Sequence, residues 1–281
     1  MLEWADSGEI MKNDWKDQKV FAFNIWDINS ARAVIDAAAA MGRDVILQTS
    51  ANIYEKIPRR QMREFVTSYT ENLTINAILH LDHCRDEKMI IDAIHNGWDM
   101  VMIDASTREI DENISITNAV ARYAHERSVL VEAEIGQVRG VEDNISVEND
   151  RAIDKRELEK FLKNTDIDYI AVAFGNAHGL YGGVPDLHYE LIEYTGKVSS
   201  KPFVVHGGSG LDDMTLKELL SFNNVKKINV STDVKLAYKQ GIENAIKDNM
   251  FETRGFQAIR IEQYIHEEIG NLVRSKLRLL G

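Results

Sequence analysis

Residues 77–86 read Ala-Ile-Leu-His-Leu-Asp-His-Cys-Arg-Asp, an apolar run that ends in a cluster of acid and imidazole groups. The short block of aliphatic and β-branched side chains at residues 75–81 is typical of a buried strand. Because burying an unpaired polar group is costly, such a strand would carry Asp82 and His83 only at its end, facing a cavity. The stretch therefore predicts a strand that ends in a functional site.

Two later predicted strands also end in a histidine. Residues 170–174 lead into His178, residues 203–205 lead into His206, and a glycine follows each histidine. Three imidazoles with an open fourth position form the usual ligand set of a catalytic zinc ion. We therefore predict that these two histidines bind a metal together with His83. The alternative for His83 alone is a satisfied, half-buried histidine.

Strands and helices alternate along the chain. Short apolar blocks predict strands at residues 20–25, 45–48, 75–81, 100–103, 129–135, 169–174, 203–205 and 227–232. A helical pattern follows each of them, which implies a parallel sheet of the α/β class, and eight such units imply closure into a barrel. The alternative is a doubly wound open sheet, but no G-x-G-x-x-G follows the first strand.

We therefore expect a single (β/α)8 barrel, or TIM barrel, that forms one domain over residues 1–281. Charged residues alternate with apolar ones at helical spacing within residues 1–19, which predicts a short N-terminal helix. A last helical pattern at residues 256–277 predicts a C-terminal helical extension.

The composition restricts the partners and the compartment. Lys and Arg number 33 against 45 Asp and Glu, and the formal net charge of −12 disfavours nucleic acid and anionic membrane surfaces as partners. An anionic substrate would need a local device, such as converging backbone N–H groups. Cys84 is the one cysteine, and no apolar run approaches the ~18 residues of a membrane span. We expect a cytoplasmic protein that binds neither nucleic acid nor membrane.

Polar side chains stand at all eight predicted strand ends, where a barrel of this type carries its active site. They are Asn24, Ser50, Asp82 with His83, Asp104 with Ser106, Glu132 with Glu134, His178, His206 with Ser209, and Asn229 with Ser231 and Thr232. Residues 206–210 read His-Gly-Gly-Ser-Gly and predict a phosphate nest, because glycines allow N–H groups to converge. Residues 229–232 open a helix whose N–H groups would face the same anion. The alternative is that the glycines only form a turn.

Two further features border the predicted site. Asp82 stands beside a predicted ligand and could exchange a proton with a reacting oxygen; the alternative is a salt bridge or a cap for the following helix. Residues 137–153 are polar and acidic, without a clear period. A loop of this length in a compact barrel usually acts as a functional lid.

Ten short runs carry a more specific signal. They are AFN (22–24), HLDHC (80–84), VMIDAS (101–106), ENI (112–114), VEAEIG (131–136), GVED (140–143), AHGLYGG (177–183), PDL (185–187), HGGSG (206–210) and KINVSTD (227–233). In this order, over nearly the whole chain, they resemble the class II, zinc-dependent ketose-bisphosphate aldolases, which include fructose and tagatose 1,6-bisphosphate aldolases.

The resemblance implies a role for each matching residue. It makes His83, His178 and His206 the ligands of a catalytic Zn²⁺, Asp82 the acid/base at the aldehyde-derived oxygen, and Glu142 the group that moves the carbon-bound proton. It implies a secondary, buried metal site at Asp104 and Glu134. It implies that the substrate-binding residues are Asn24, Ser50, Gly179, Gly207, Ser209, Asn229, Ser231 and Thr232.

The implied reaction is reversible cleavage of fructose or tagatose 1,6-bisphosphate into dihydroxyacetone phosphate and glyceraldehyde 3-phosphate. A homodimer or homotetramer, and a monovalent cation (Na⁺ or K⁺) near the phosphate, are implied with it. We do not expect a Schiff base, because Lys226 and Lys227 stand before or at the beginning of the eighth strand instead of at its carboxyl end.

Departures from the family pattern at Asn176 and residues 151–154 border the aldehyde side. The alternative substrate is therefore another ketose 1-phosphate, derived from a sugar acid or a deoxy sugar. Two broader alternatives are a different metal-dependent barrel enzyme, such as a hydrolase, and a sugar-phosphate-binding protein without activity.

Overall fold

The computed structural model describes most of the chain. Its described residues are 15–142, 145–147, 153–179, 181, 183, 185–252 and 256–281, with the backbone alone for 139–142 and 145–147. Residues 15–17 are helical, and the remainder of the helix predicted near the N-terminus lies largely outside the described residues. Among the described helices, none is long and apolar enough to cross a membrane.

The described strands share a parallel barrel and one small sheet. In chain order they are β1 (Val20–Asn24), β2 (Val45–Ser50), β3 (Ala77–Cys84), β4 (Met100–Ile103), β5 (Leu130–Ile135), β6 (Arg139–Glu142), β7 (Ile145–Val147), β8 (Tyr169–Val172), β9 (Ala177–His178), β10 (Phe203–Val205) and β11 (Val225–Val230). Eight of them close into a barrel in the order β1-β2-β3-β4-β5-β8-β10-β11, and β11 pairs with β1. Since all eight are parallel, their carboxyl ends meet at one mouth of the barrel, as predicted.

Helices surround the barrel. They are α1 (Ile28–Met41), α2 (Ala51–Lys56), α3 (Arg59–Thr70), α4 (Glu87–His95), α5 (Ile110–His125), α6 (Lys155–Asn164), α7 (Tyr189–Val198), α8 (Asp213–Ser221), α9 (Thr232–Lys247) and α10 (Ala258–Leu277), followed by a 3₁₀ turn at Arg278–Leu280. The C-terminal helix is the predicted extension, and it packs against α9 and α1. The α/β TIM-barrel prediction is confirmed.

Two local differences from the predicted elements bear on the site. The helix α2 begins directly after β2, where Ser50 accepts a hydrogen bond from the N–H group of Ile53 at 3.4 Å. Residues 137–153, predicted as an irregular loop, contain β6 and β7, which pair antiparallel. The strand β6 also pairs in parallel with β9, so this segment is joined to the strand that carries His178.

The barrel interior is closed at the amino end of its strands. The buried side chain of Trp15 packs with the inward-facing residues of several strands, among them Val20 and Tyr169. The Tyr169 hydroxyl donates a hydrogen bond to the carbonyl oxygen of Trp15 at 2.8 Å. Among the described residues, Trp15 and Tyr169 cover this end of the barrel, opposite the mouth formed by the carboxyl ends.

Candidate active site

Three histidines converge at this mouth. The candidate ligand atoms of His83, His178 and His206 all lie within 4.8 Å of one another. Nδ1 of His206 lies 2.7 Å from Nε2 of His83. Zinc takes three protein ligands in catalytic sites and accepts imidazole nitrogen readily, so this donor set fits a zinc ion.

A bulge in β3 directs His83 into the cluster. The pairing of β3 with β4 shifts register between Leu81 and Cys84, and His83 has a φ of 45°, a backbone conformation that few non-glycine residues adopt. Bulges of this kind re-aim a side chain next to an active site. The strand continues through Cys84, three residues beyond the predicted end at Leu81, and still delivers the imidazole to the mouth.

Buried polar partners hold His206 in place. Its Nε2 donates a hydrogen bond to Oε1 of Glu132 at 2.8 Å, which leaves Nδ1 facing His83. The side-chain amide of Asn176 donates to the carbonyl oxygen of His206 at 2.9 Å. Burial lowers the pKa of His206, although its hydrogen bond to Glu132 opposes the shift. A carboxylate on the far nitrogen of a metal-binding histidine commonly fixes its orientation.

A buried lysine balances this carboxylate. Lys227 lies inside β11, because the strand begins at Val225, two residues earlier than predicted. Its Nζ donates to Oε2 of Glu132 at 2.7 Å and lies 3.2 Å from Nδ1 of His80, and all three side chains are fully buried. Burial alone would raise the pKa of Glu132, but Lys227 and His206 hold it well below its usual range.

The lysine also discriminates between two possible metal sites. Asp82, Glu132 and His206 form a second group whose ligand atoms lie within 4.8 Å of one another. In that group, however, Lys227 and His206 already contact the two oxygens of Glu132. A cation there would face the lysine ammonium at close range, so the group of three histidines is the better metal site.

Asp82 lies beside the three histidines and is held by two amides. Gln48 donates from Nε2 to Oδ2 of Asp82 at 3.0 Å and to Oδ1 of Asn24 at 2.6 Å. Asn229 donates from Nδ2 to Oδ1 of Asp82 at 3.4 Å. Asp82 is fully buried, and the two amides help to fix the orientation of its carboxylate. Gln48 was not predicted as a site residue.

The glycines after β10 are required by close backbone contacts. Gly207 has a φ of 71°, and a Cβ atom there would lie 2.0 Å from the carbonyl oxygen of Ala177. A Cβ atom on Gly208 would lie 2.7 Å from the carbonyl oxygen of Asn229. The hydroxyl of Tyr181 donates to the carbonyl oxygen of Gly207 at 2.9 Å. The N–H group of Gly208 already donates to the carbonyl oxygen of Asn229 at 3.0 Å, so the loop packs between its neighbours and not every N–H group in it is left for an anion.

Ser231 directly precedes α9, and Ser209, in the loop after β10, contacts the first turn of that helix. The hydroxyl oxygen of Ser209 accepts hydrogen bonds from the N–H groups of Ser231 and Asp233, both at 3.1 Å. Two N–H groups that were predicted to face an anion therefore bind Ser209 instead. The buried hydroxyl of Ser231 has no hydrogen-bond partner within the part of the chain that the structure describes, so it remains a donor for a ligand.

Asp104 and Glu134 lie next to His83. Arg85 and Ser106 donate to Asp104 at 2.7 and 2.6 Å, and Oε2 of Glu134 lies 3.9 Å from Nδ1 of His83. Burial, together with the charge of Asp104, raises the pKa of Glu134 well above its usual range. Neither residue belongs to the metal-type clusters found among the described residues. The secondary metal site stays a prediction.

Comparisons with known proteins decide the family. The model of the family "Fructose-bisphosphate aldolase class-II" matches residues 11–281. The chain belongs to the class II fructose-bisphosphate aldolase family. It is accordingly an aldehyde-lyase, and the resemblance seen in the sequence is confirmed.

Individual relatives agree with this assignment. The sulfofructosephosphate aldolase of Alkalicoccus urumqiensis is 31% identical, over 100% of this chain and 97% of that protein. The 6-phospho-5-dehydro-2-deoxy-D-gluconate aldolase of Bacillus subtilis is 32% identical, over 100% and 96%. The crystal structure of the YdjI aldolase from Escherichia coli K12 has a TM-score of 0.81 at 26% identity, covering 96% of this chain and 95% of that one.

Most residues predicted for the site of this class II aldolase lie at the mouth of the barrel. Asn24, Ser50, Gly179 and Thr232 are at or beside strand ends there, and Gly179 has a φ of 92°. The side chain of Glu142 lies outside the described residues. The sequence did not identify the roles of Gln48, Asn176, Lys227 and Tyr181. Two signals were available in the sequence. Lys227 stands within an apolar strand, and Glu132 stands two residues before Glu134, so both glutamates lie on the same face of their strand.

Proposed function

We propose that this aldolase uses Zn²⁺ to cleave a ketose 1-phosphate reversibly into dihydroxyacetone phosphate and an aldehyde. The observation that carries the proposal is the convergence of His83, His178 and His206 beside the buried carboxylate of Asp82. A zinc ion held by the three histidines would act as a Lewis acid on the ketose oxygens.

The chain's own groups would manage the protons. During cleavage the bond between C3 and C4 breaks, the electron pair stays with C3, and the C4 hydroxyl gives up its proton as the aldehyde forms. Asp82 is the candidate base for that proton, and in condensation it returns the proton to the aldehyde oxygen. Gln48 and Asn229 support this role because they hold the carboxylate in one orientation. Glu142 is the candidate for protonating C3.

The phosphate on C1 would bind at the ends of β10 and β11. We assign Gly179 and Gly207, whose φ values are 92° and 71°, to this pocket, and the hydroxyl of Ser231 is available as a donor. Ser209 positions the first turn of α9, whose dipole favours an anion. Asn229 and Thr232 complete this pocket, with Asn24 and Ser50 at the ends of the neighbouring strands β1 and β2. A monovalent cation near the phosphate and a homodimer or homotetramer belong to the same proposal.

The second product depends on the far end of the ketose. Fructose or tagatose 1,6-bisphosphate would give glyceraldehyde 3-phosphate. The names of two relatives favour a second candidate: one acts on a sulfofructose phosphate and the other on a phospho-deoxy sugar acid. Another ketose 1-phosphate with a different terminal group is therefore the alternative substrate.

A coupled assay for dihydroxyacetone phosphate tests the proposal. Both bisphosphates and a ketose 1-phosphate lacking the second phosphate would be offered to the zinc-loaded protein, with and without prior treatment by a strong chelator. We expect cleavage of at least one compound, lost on chelation and recovered with zinc. Full activity in a metal-free protein would refute the role of zinc. Turnover of phosphate esters without carbon–carbon cleavage would refute the proposed aldol reaction.

A further inference from the structure

The ladder between the barrel strands β8 and β10 ends before it reaches the two histidines that follow these strands. Its last paired residues are Ala171 and Val204. His206 directly follows β10, whereas His178 lies on the short strand β9, which pairs with β6 in the small sheet outside the barrel. The separation of the two imidazoles, whose ring centroids are 5.8 Å apart, therefore depends on contacts other than this ladder.

Two side chains bridge the segments that carry these histidines. The amide of Asn176 donates to the carbonyl oxygen of His206 at 2.9 Å, and the hydroxyl of Tyr181 donates to the carbonyl oxygen of Gly207, also at 2.9 Å. Two successive carbonyl groups of one segment are thus bound by side chains of the other. These bridges do at this point what a ladder does within the barrel, because each holds one backbone against the next.

The hydroxyl of Tyr181 is bound on both sides. Its oxygen accepts a hydrogen bond at 3.1 Å from the N–H group of Ala177, the residue before His178. The same hydroxyl therefore joins the neighbours of two candidate zinc ligands in the chain, Ala177 and Gly207. The ring of Tyr181 is half-buried and packs against the core, which holds the hydroxyl in place.

We propose, on the basis of the function proposed above, that Tyr181 is a positioning residue for the metal centre, and that its hydroxyl sets the separation of His178 and His206. Zinc binds imidazole nitrogen within a narrow range, about 2.0–2.1 Å, so two ligands that are already held at the right separation bind it more tightly. Tyr181 acts on the zinc ligands through their backbone and does not contact the metal.

The test is metal binding by the full-length protein with the substitution Tyr181→Phe, which keeps the ring and removes the hydroxyl. Chelator competition should show a zinc affinity lower by about 10-fold or more, as is typical when a metal ligand loses an outer partner. Co²⁺ in place of zinc reports the ligand geometry, and its visible absorption bands should change in position or intensity. A hydroxyl with a merely structural role would lower the Tm of the metal-free protein and leave both readouts unchanged.

Tyr69 provides the matched control. Its hydroxyl donates to Oδ1 of Asp36 at 2.7 Å, between the outer helices α3 and α1 and away from the mouth of the barrel. Tyr69→Phe also loses one hydrogen bond, but it should keep the zinc affinity and the cobalt spectrum of the unmodified protein. The same zinc affinity and the same cobalt spectrum in Tyr181→Phe would overturn the inference.

Cleavage of the ketose phosphates by the unmodified, zinc-loaded protein separates the two proposals. Cleavage, with metal binding unchanged in Tyr181→Phe, would overturn the role of Tyr181 and leave the proposed function standing. Weaker zinc binding by Tyr181→Phe in a protein that cleaves no ketose phosphate would overturn the proposed function alone. An unmodified protein that binds neither zinc nor cobalt would overturn both.

Discussion

Nζ of Lys227 lies 2.7 Å from Oε2 of Glu132, and both side chains are fully buried inside the barrel. The other oxygen of Glu132 accepts the hydrogen bond of His206 at 2.8 Å. The three groups form a chain in which the ammonium compensates the carboxylate, and the carboxylate orients the imidazole. The lysine therefore acts on the candidate metal site without contacting it.

Lys227→Met should weaken zinc binding and destabilise the fold. Removing one partner of a buried ion pair typically costs about 3–5 kcal/mol, because the remaining charge stays buried without a partner. Loss of an outer partner of a metal ligand typically lowers metal affinity about 10- to 100-fold. Chelator competition measures the zinc affinity, and thermal unfolding of the metal-free protein measures the stability.

The neighbouring lysine offers a control. Lys226 donates its Nζ hydrogen bond to the carbonyl oxygen of Asp17 and lies outside the barrel interior, so Lys226→Met should change zinc affinity little. The double variant Lys227→Met/Glu132→Gln removes both charges and should recover stability, but not zinc affinity. Equal zinc affinity in Lys227→Met and Lys226→Met would show that the buried pair does not support the site.

Asp82→Asn should separate metal binding from cleavage. The asparagine keeps the size of the side chain but cannot accept the proton of the C4 hydroxyl, and loss of a general acid–base group typically costs about 10²- to 10⁴-fold in rate. The zinc content should remain near one ion per chain, because the three proposed ligands are histidines and Asp82 is not one of them. Steady-state cleavage and metal analysis on the same preparation measure both. Cleavage at the rate of the unmodified protein would exclude Asp82 as the acid/base.

His178→Ala should lose zinc and cleavage together. His178 lies on the short strand β9, with its ring centroid 4.7 Å from that of His83. Two remaining imidazoles leave the site one ligand short of the set that catalytic zinc requires. His188 is a suitable control, because it pairs with exposed Glu190 at 3.2 Å away from the cluster. Zinc retained at full occupancy in His178→Ala would remove His178 from the ligand set.

The alternation of strands and helices was readable from the sequence because it depends on local pattern. The strands Met100–Ile103 and Phe203–Val205 agree with the predicted bounds, since short apolar blocks define them. The helix Ala51–Lys56 was missed because it follows β2 without an intervening loop. The bulge at His83 was not predictable either, since it depends on the pairing of β3 with β4.

The histidines at the strand ends were predictable for the same reason: the barrel brings all carboxyl ends together. The role of Lys227 was not, because its partner Glu132 is 95 residues away in the chain and only closure of the barrel joins them. Two adjacent lysines before an apolar run resemble the solvated start of a strand. The structure instead places one outside the barrel and the other in its interior.

Gly207→Ala should weaken binding of the phosphorylated substrate. The new Cβ atom would lie 2.0 Å from the carbonyl oxygen of Ala177, and the φ of 71° disfavours any side chain there. The loop must shift, and the pocket proposed for the C1 phosphate shifts with it. KM for the ketose phosphate should rise about 10-fold or more, with zinc content retained. Gly183→Ala is the control, because no atom of the described residues lies within 4 Å of its Cβ position.

The stability of the fold should depend on pH through His125 and Asp168. Nε2 of His125 lies 2.8 Å from Oδ2 of Asp168. This hydrogen bond raises the pKa of His125 above its ordinary 6.5, although burial opposes the shift. Burial would raise the pKa of Asp168, but its bonds to His125 and Lys16 lower it to about 2 from an ordinary 3.8.

The two pKa shifts determine the pH range in which this pair stabilises the fold. The contribution of His125 to stability is complete below pH 6.5 and is lost as the pH rises through the raised pKa of the folded state. The contribution of Asp168 to stability is complete above pH 3.8 and is lost as the pH falls towards about 2. The Tm difference between the unmodified protein and His125→Gln should therefore be largest between about pH 4 and 6.5, and shrink on either side. Thermal unfolding monitored by circular dichroism across this range measures it. A difference that grows steadily above pH 7 would contradict the charged pair, because deprotonated His125 could no longer stabilise the carboxylate.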